Sequence, residues 1–362
     1  MKIIYIITGL SVGGAERITV DLAERMALLG NDVELIFLSG EQLVSTSERI
    51  KVSNLRMKKS LFGLFFALRK AIKIVKDFNP DVVHANMFHA ILFARIIRIF
   101  VKIPRLISTE HSNNFHGKIR QITECATDFL TDVNTNVSEF ATQYFIQKKV
   151  FSKNKSITVY NGIGLERFYK NKNFVLKKEL NIPDYDFVFI NVSRFNEAKD
   201  HETLINAFNI VHKKKLDTKL VLVGDGELFI KIKSFVQEKN LSDSVIFTGT
   251  KNNTQDYYNV ADCFVLSSVW EGFGLVLVEA MACELEVIST DCGGTKEILP
   301  DSNMLVPIKN PESLAAKMLE VTELSSEKRL LDGKNNRKAA EKFDLRKITN
   351  DWLKIYRGDN FL

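Results

Sequence analysis

Cysteine is scarce in this 362-residue chain, and what there is stands far apart. Cys125, Cys263, Cys283 and Cys292 form no C-x-x-C pair. That argues against a zinc site and a disulfide framework and fits a reducing, cytoplasmic setting. No stretch approaches the roughly 20 apolar residues that cross a bilayer. The opening MKIIYIITGL imitates a signal peptide, but the apolar run is short and no small-residue cleavage site follows, so it reads as a buried first strand. The G-x-G-x-x-G dinucleotide fingerprint is absent, as are short-period repeats and low-complexity segments.

What is present is ordinary in bulk and uneven in detail. The chain is 45% hydrophobic and 26% charged, the balance of a globular protein, and long enough for two domains. Its net charge of +6 is concentrated: residues 51–120 hold fourteen Lys and Arg against three acids, a local +11 that leaves −5 for the rest. Such an excess predicts an anionic partner. No nucleic-acid recognition motif accompanies it, so nucleic acid is not the expected partner.

Strand and helix patterns alternate throughout. KIIYIIT, DVELIFL, PDVVHA, RLISTEHS, DVNTNVS and SITVYNG read as strands of the first half. GGAERITVDLAERMALLG is helical, with Ile18, Leu22, Met26 and Leu29 on one stripe. FVFINVSRF, TKLVLVGDG, SVIFTG, CFVLSS, LEVIST and MLVPI repeat the pattern after a polar stretch near 168–185. Alternation of this kind predicts two doubly wound parallel sheets, with ligands at the carboxyl ends of the strands and a cleft between the domains. We place an N-terminal domain at 1–172, a C-terminal domain at 173–344, and a last helix near 345–362 that returns to the first domain.

Several strand ends carry chemistry. Gly13 and Gly14 open the first helix where its free N–H groups face an anion. Glu110 and His111 end a first-domain strand. Arg194 leaves a strand and Lys199 precedes a helix, a fork and a point charge suited to phosphate. SSVWEGFGLVLVEAMA sets Glu271 and Glu279 eight residues apart around Gly272 and Gly274. Its turn offers the N–H groups of Phe273, Gly274 and Leu275 to a ligand, while Glu279 needs hydrogen-bond donors such as vicinal hydroxyls. Asp184 and Asp186 read as a strand-entry turn, not a metal site.

These residues together resemble glycosyltransferase family 4: EGFGLVLVE as E-x7-E, with GGAER, EH, SR…K, VYNG and VGDGE, over nearly the whole chain. The resemblance implies the GT-B fold and retaining transfer from a nucleotide-diphosphate sugar, UDP-sugar being favoured, to a glycan or lipid-linked glycan in cell-surface polysaccharide synthesis. It implies no metal and no separate cofactor. Arg194 and Lys199 would stabilise the leaving diphosphate, and Glu279 would hold the ribose. Glu271 and the backbone at Phe273 and Gly274 would bind the sugar, His111 would sit near the reacting centre, and Gly13 and Gly14 would face the phosphates or the acceptor. Thr250 would frame the base. Three details depart from the family pattern: Ser193 before the arginine and Asp200 after the lysine where glycine is common, and TKNNT without the usual charges. A nucleotide-sugar epimerase on the same fold is the alternative; a glycoside hydrolase using the two glutamates and a non-catalytic binder fit less well. The basic, aromatic segment 56–79 reads either as a peripheral contact with the anionic inner membrane or as a surface helix with its aromatics in the core.

Overall fold

A computed structural model describes residues 1–11, 13–113, 117–171 and 174–359. The chain forms two compact units, Met1–Gly162 with Leu345–Leu362, and Ile163–Asp344. The division at Gly162 falls ten residues before the boundary placed at 172 within the polar stretch. Ile163 already belongs to the second unit, donating its N–H to the Phe343 carbonyl at 2.9 Å.

The first unit is a parallel sheet of β1 (Lys2–Ile7), β2 (Asp32–Phe37), β3 (Lys51–Asn54), β4 (Val82–Asn86), β5 (Arg105–Glu110), β6 (Val133–Asn136) and β7 (Ser156–Thr158). Its order is β3-β2-β1-β4-β5-β6-β7. Helices α1 (Gly14–Leu28), α2 (Leu61–Phe78), α3 (Phe88–Phe100), α4 (Lys118–Thr127) and α5 (Glu139–Gln147) connect the strands. The order reverses between β1 and β4, which pair directly with Ile3 opposite Val82 and Ile7 opposite Asn86. β1 is an apolar run and β4 is buried throughout because helices cover both faces, forming two cores.

The second unit contains β8 (Phe187–Val192), β9 (Thr218–Val223), β10 (Val245–Gly249), β11 (Cys263–Leu266), β12 (Glu286–Thr290) and β13 (Leu305–Val306), in the order β10-β9-β8-β11-β12-β13. Its helices are α6 (Phe174–Glu179), α7 (His201–Lys214), α8 (Phe229–Glu238), α9 (Thr254–Tyr258), α10 (Leu275–Ala282), α11 (Thr295–Ile298), α12 (Pro311–Thr322) and α13 (Ser326–Ala340). Here the reversal lies between β8 and β11. The last helix, α14 (Leu345–Arg357), belongs to the first unit. It buries Ile348, Trp352 and Tyr356, and the Tyr356 hydroxyl lies 2.9 Å from that of Tyr5 and 2.7 Å from His84 Nδ1.

Some elements differ from the sequence reading. The α1 stripe is rotated: Thr19, Val20, Leu22, Ala23 and Met26 are buried, whereas Leu29 is exposed and ends the helix. The edge strand β3 is polar and gave no strand signal. Helix α13 has no apolar stripe. It is held by polar groups instead: Asn336 Nδ2 donates to the Leu285 carbonyl at 2.8 Å, and Arg337 bonds the carbonyls of Ala282 at 2.7 Å, Leu165 at 3.2 Å and Phe168. Gly333 completes this packing, because a Cβ there would stand 2.4 Å from the Glu284 carbonyl oxygen. Although alanine is the better helix former, Gly333→Ala should therefore destabilise the protein by about 1–3 kcal/mol, the cost of overpacking. A urea midpoint unchanged or raised relative to wild type would contradict this account.

Candidate functional site

In the second unit, the candidate residues gather where the strand order reverses. Ser193 and Arg194 leave β8, and the segment to Lys199 crosses to the loop after β11. Lys199 Nζ donates to Glu271 Oε1 at 2.5 Å, and Ser268 Oγ donates to the same oxygen at 2.7 Å. The two loops are joined at the backbone as well: Val269 N–H donates to the Ala198 carbonyl at 2.7 Å and Ser267 Oγ to that of Lys199 at 2.8 Å. Lys199 and Glu271 thus form one half-buried pair.

Arg194 points elsewhere. Its guanidinium is 66% exposed and reaches Glu227 at 3.2 Å, a surface pair that a stronger anion can displace. The loop carrying it is fixed by glycines whose role the sequence left unassigned. A Cβ on Gly224 would lie 2.0 Å from the Ser193 carbonyl oxygen, and one on Gly226 would lie 2.5 Å from that of Phe195. Only the bare backbone of VGDGE lets Phe195 N–H reach the Asp225 carbonyl at 3.0 Å.

The family departures also have local causes. Ser193 Oγ donates to Asn191 Oδ1 at 2.5 Å and lies 3.1 Å from His201 Nε2. His201 stacks on Phe195 at 4.0 Å and is held neutral by burial, its pKa lowered to about 4. Asp200 adopts φ 44°, ψ 56°, the left-handed conformation glycine takes easily. It holds that conformation by capping α7, accepting from Thr203 N–H at 3.2 Å and Thr203 Oγ1 at 2.7 Å.

Beyond Glu271 the chain turns at Gly274, φ 102°, and enters α10, whose N-terminus has no side-chain cap. Phe273 is buried edge-to-face against Phe343 at 5.2 Å, so only its backbone is available to a ligand. Gly274 and Leu275 lead into the helix and present its first-turn N–H groups. One helical layer further, Glu279 is half-buried and accepts from the Tyr258 hydroxyl at 2.8 Å. Burial first, and Glu279 second, raise the Tyr258 pKa well above that of a free phenol, so it serves as a donor. Glu271 and Glu279 therefore answer to different partners at the two ends of the turn. Thr250 stands exposed just past the edge strand β10.

In the first unit, Gly14, His111 and Glu110 line a cavity of about 310 Å³ together with Ala15, Glu16, Met87, Phe88, Ser112, Arg120 and Glu124. It, too, lies at the carboxyl ends of β1, β4 and β5, around that sheet's reversal. Gly13 is the extended N-cap of α1; a Cβ on Gly14 would meet no protein atom within 4 Å. His111 Nε2 lies 2.9 Å from Asn86 Oδ1, while Asn86 Nδ2 donates to the His84 carbonyl at 3.4 Å. That assigns the ring proton to Nε2 and leaves Nδ1 a bare acceptor. Burial lowers the pKa of His111 to about 4 and that of His84 to about 3. Glu110 and Glu124 have raised pKa values, burial being the first cause in both. Among the described residues no group of three or more His, Cys, Asp or Glu is arranged to hold a metal ion.

Two parallel-sheet units with polar strand ends at their reversal points define a GT-B glycosyltransferase fold. Comparison with known proteins makes this specific. Residues 12–167 match the model for Glycosyltransferase Family 4, and residues 173–339 that for Glycosyl transferases group 1. An N-acetylgalactosamine-N,N'-diacetylbacillosaminyl-diphospho-undecaprenol 4-alpha-N-acetylgalactosaminyltransferase of Campylobacter jejuni is 28% identical, over 99% of this chain and all of that protein. An uncharacterised glycosyltransferase of Methanocaldococcus jannaschii is 27% identical over 86% of this chain and 88% of its own length. Among solved structures, HepE of Anabaena in complex with UDP superposes with a TM-score of 0.84 at 19% identity, covering 99% of this chain and all of that one. The chain belongs to glycosyltransferase family 4 and is a glycosyltransferase.

The histidine assignments are directly measurable. A folded-state pKa of about 4 or 3 against an ordinary 6.5 means that, as pH falls below 6.5, the unfolded chain takes up protons the folded one refuses, so these rings withdraw stability on the acid side. In NMR titrations of the folded protein, His84, His111 and His201 should show no protonation shift through pH 6.5. Titration of His111 near 6.5 would refute the buried neutral tautomer.

Proposed function

We propose that the chain is a retaining transferase that moves a hexosyl or N-acetylhexosaminyl group from a nucleotide diphosphate, with UDP favoured, to a glycan or lipid-linked glycan acceptor of cell-surface polysaccharide synthesis. The observation that carries this reading is the Lys199–Glu271 pair at the β8–β11 reversal, beside the uncapped N-terminus of α10 and with Arg194 exposed on the adjoining loop. A diphosphate is the ligand for which two cations and a helix N-terminus make sense together. Glu279 then accepts from the ribose hydroxyls, with Tyr258 holding its other face, and Thr250 borders the base. Glu271, released in part from Lys199 by the incoming phosphate, accepts from the donor sugar, as do the backbone groups at Phe273, Gly274 and Leu275. His111 is assigned to the sugar during transfer, and Gly13 and Gly14 to the phosphates or the acceptor.

As the glycosidic bond breaks, charge grows on the leaving phosphate. Arg194, Lys199 and the helix dipole stabilise that charge more than the ground state, and this differential accelerates the reaction. The same positive groups do the work a metal ion does elsewhere, so no metal is required in this reading. Front-side attack follows: the acceptor oxygen bonds to the anomeric carbon on the face the phosphate leaves, and the phosphate oxygen takes the acceptor proton. The HepE structure holding UDP and the Campylobacter relative, whose name gives an undecaprenol-linked diphosphate acceptor, support the choices of donor and acceptor. The epimerase alternative has no observation in its favour here.

Arg194→Ala and Lys199→Ala should each lower kcat by about 10²–10³, the usual effect of removing a strong electrostatic donor. Glu279→Gln should instead raise the donor KM, with kcat changed less. These constants are to be measured with UDP-sugars and a lipid-linked acceptor. Sugar isomerisation without any acceptor would replace transfer by epimerisation, and failure of every nucleotide diphosphate to stabilise the chain would sink the reading.

The segment 56–79 supports peripheral attachment. Helix α2 buries Ala67, Ala71 and Val75, one stripe of small residues, and turns Phe62, Phe65 and Phe66 outward, Phe62 being 79% exposed. The same segment carries Lys58, Lys59, Arg69, Lys70, Lys73 and Lys76, and the Arg69 guanidinium lies over the Phe65 ring at 5.8 Å. Exposed aromatics in a segment rich in cations suit an anionic lipid interface. Among the described residues no helix is long and apolar enough to span the bilayer. The protein should sediment with phosphatidylcholine vesicles only when phosphatidylglycerol is included, and less at high salt. Replacing all three phenylalanines by serine should abolish sedimentation; retention would assign the contact to charge alone.

A further inference from the structure

The cavity of the first unit contains three buried acceptors that no described residue satisfies. Glu110 Oε1, Glu124 Oε2 and His111 Nδ1 have no hydrogen-bond partner. Glu110 is 7% exposed and Glu124 2%. The three come from different elements, the end of β5, the loop after it and α4, yet all line the same space of about 310 Å³. A buried polar atom left unpaired costs about 1–3 kcal/mol, so three around one cavity of small-ligand size indicate a site built for an occupant.

The remaining oxygens define its electrical character. Glu110 and Glu124 line the same cavity; burial raises the pKa of both, and the charge of Glu124 raises that of Glu110 further, which opposes ionisation of the two together. The pair therefore presents at most one negative charge. Arg95, Arg120 and Asp128 act on it electrostatically, and Glu16 and His89 stand on the same cavity wall. Arg120 also covers the Phe88 ring, with its guanidinium carbon 4.9 Å from the centroid. A cation would face the Arg120 guanidinium on the cavity wall, and an anion, although Arg120 and the start of α1 offer it donors, would leave the three acceptors unmatched. A neutral ligand rich in O–H and N–H donors satisfies all three atoms, and the adjoining Phe88 and Met87 suit the apolar face of a ring. Met87 itself holds φ 74°, ψ 149°, a conformation glycine tolerates and methionine resists.

We propose that the Glu110–Glu124 carboxyl pair is the recognition element for a neutral sugar residue of the acceptor, accepting hydrogen bonds from two of its hydroxyl or acetamido N–H groups beside His111 Nδ1. This deepens the transferase reading above and rests on it. The pair selects an uncharged sugar and acts as a binding and specificity element; no bond to it is made or broken.

The test uses the full chain and four probes, the p-nitrophenyl α-glycosides of N-acetylgalactosamine, N-acetylglucosamine and galactose, and p-nitrophenyl β-glucuronide, with binding read by saturation-transfer difference NMR. At least one neutral glycoside should bind wild type, and the glucuronide should bind more weakly. Binding should weaken as pH rises and the second carboxyl of the pair ionises, in a titration carried into the alkaline range. Glu124→Gln supplies a permanent N–H donor to Glu110, so binding should survive and its pH dependence should vanish. Glu110→Ala should weaken binding by about tenfold or more, the loss of one charge-assisted hydrogen bond. If the alanine variant fails to fold by circular dichroism, the glutamine pH profile decides. No binding of any neutral glycoside, preference for the glucuronide, or a pH profile unchanged by Glu124→Gln would each overturn the proposal. UDP binding is measured in parallel: UDP bound with no glycoside bound removes this inference alone, whereas loss of both removes the transferase reading.

Discussion

Lys199 and Glu271 lie 72 residues apart in sequence and meet because β8 and β11 are hydrogen-bonded neighbours across which the strand order reverses. At such a reversal the two connections leave the sheet in opposite directions, and a gap opens over the strand ends. Whatever occupies the gap is approached by the residue after each strand. In this unit those residues carry a cation and a carboxylate, which neutralise each other in the absence of a larger anion. The pair is therefore a stored interaction as much as a stabilising one, and its half-buried position makes it stronger than the exposed pair of Arg194 and Glu227.

Holding that geometry takes backbone solutions that side-chain chemistry alone does not announce. The Arg194 loop packs so closely on the loop after β9 that two glycines are obligatory, Gly224 against Ser193 and Gly226 against Phe195. By contrast, Asp200 shows that a glycine-like conformation can be kept by another residue when its carboxylate caps the following helix. Ser193 is accommodated in the same way, its hydroxyl absorbed between Asn191 and His201. The departures from the family pattern are thus local substitutions of one stabilising contact for another, and they leave the paths of the Arg194 and Lys199 loops intact.

The alternation of apolar runs with 3.6-residue periodicity was enough to read the parallel sheets, because a strand covered on both faces must be apolar throughout. E-x7-E was legible because two carboxylates around a glycine turn are rare in so apolar a run. Elements stabilised by contacts distant in sequence were not legible. β3 is a short polar edge, and α13 is fastened through Arg337 and Asn336 to carbonyls of remote segments, so neither shows an apolar period. The outward orientation of Phe62, Phe65 and Phe66 was equally hidden, since small residues at Ala67, Ala71 and Val75 form the packed stripe and the larger rings face away. Glu124 escaped notice for a related reason: nothing near it in sequence marks it, and only the approach of α4 to the end of β5 gives it Glu110 as a partner.

The two units solve opposite electrostatic problems with the same topology. The second unit gathers Arg194, Lys199 and a helix N-terminus, which favour charge that is already negative and becomes more so on a leaving phosphate. Around the first unit's cavity, which Arg120 and Glu16 also line, burial holds His111 and His84 neutral and raises the carboxyl pKa values of Glu110 and Glu124. A neutral imidazole beside two carboxyl groups that resist ionisation presents acceptors to hydrogen-bond donors. The same topology thus sets exposed and half-buried cations beside a helix N-terminus at one reversal, and buried neutral histidines with carboxyls that resist ionisation at the other.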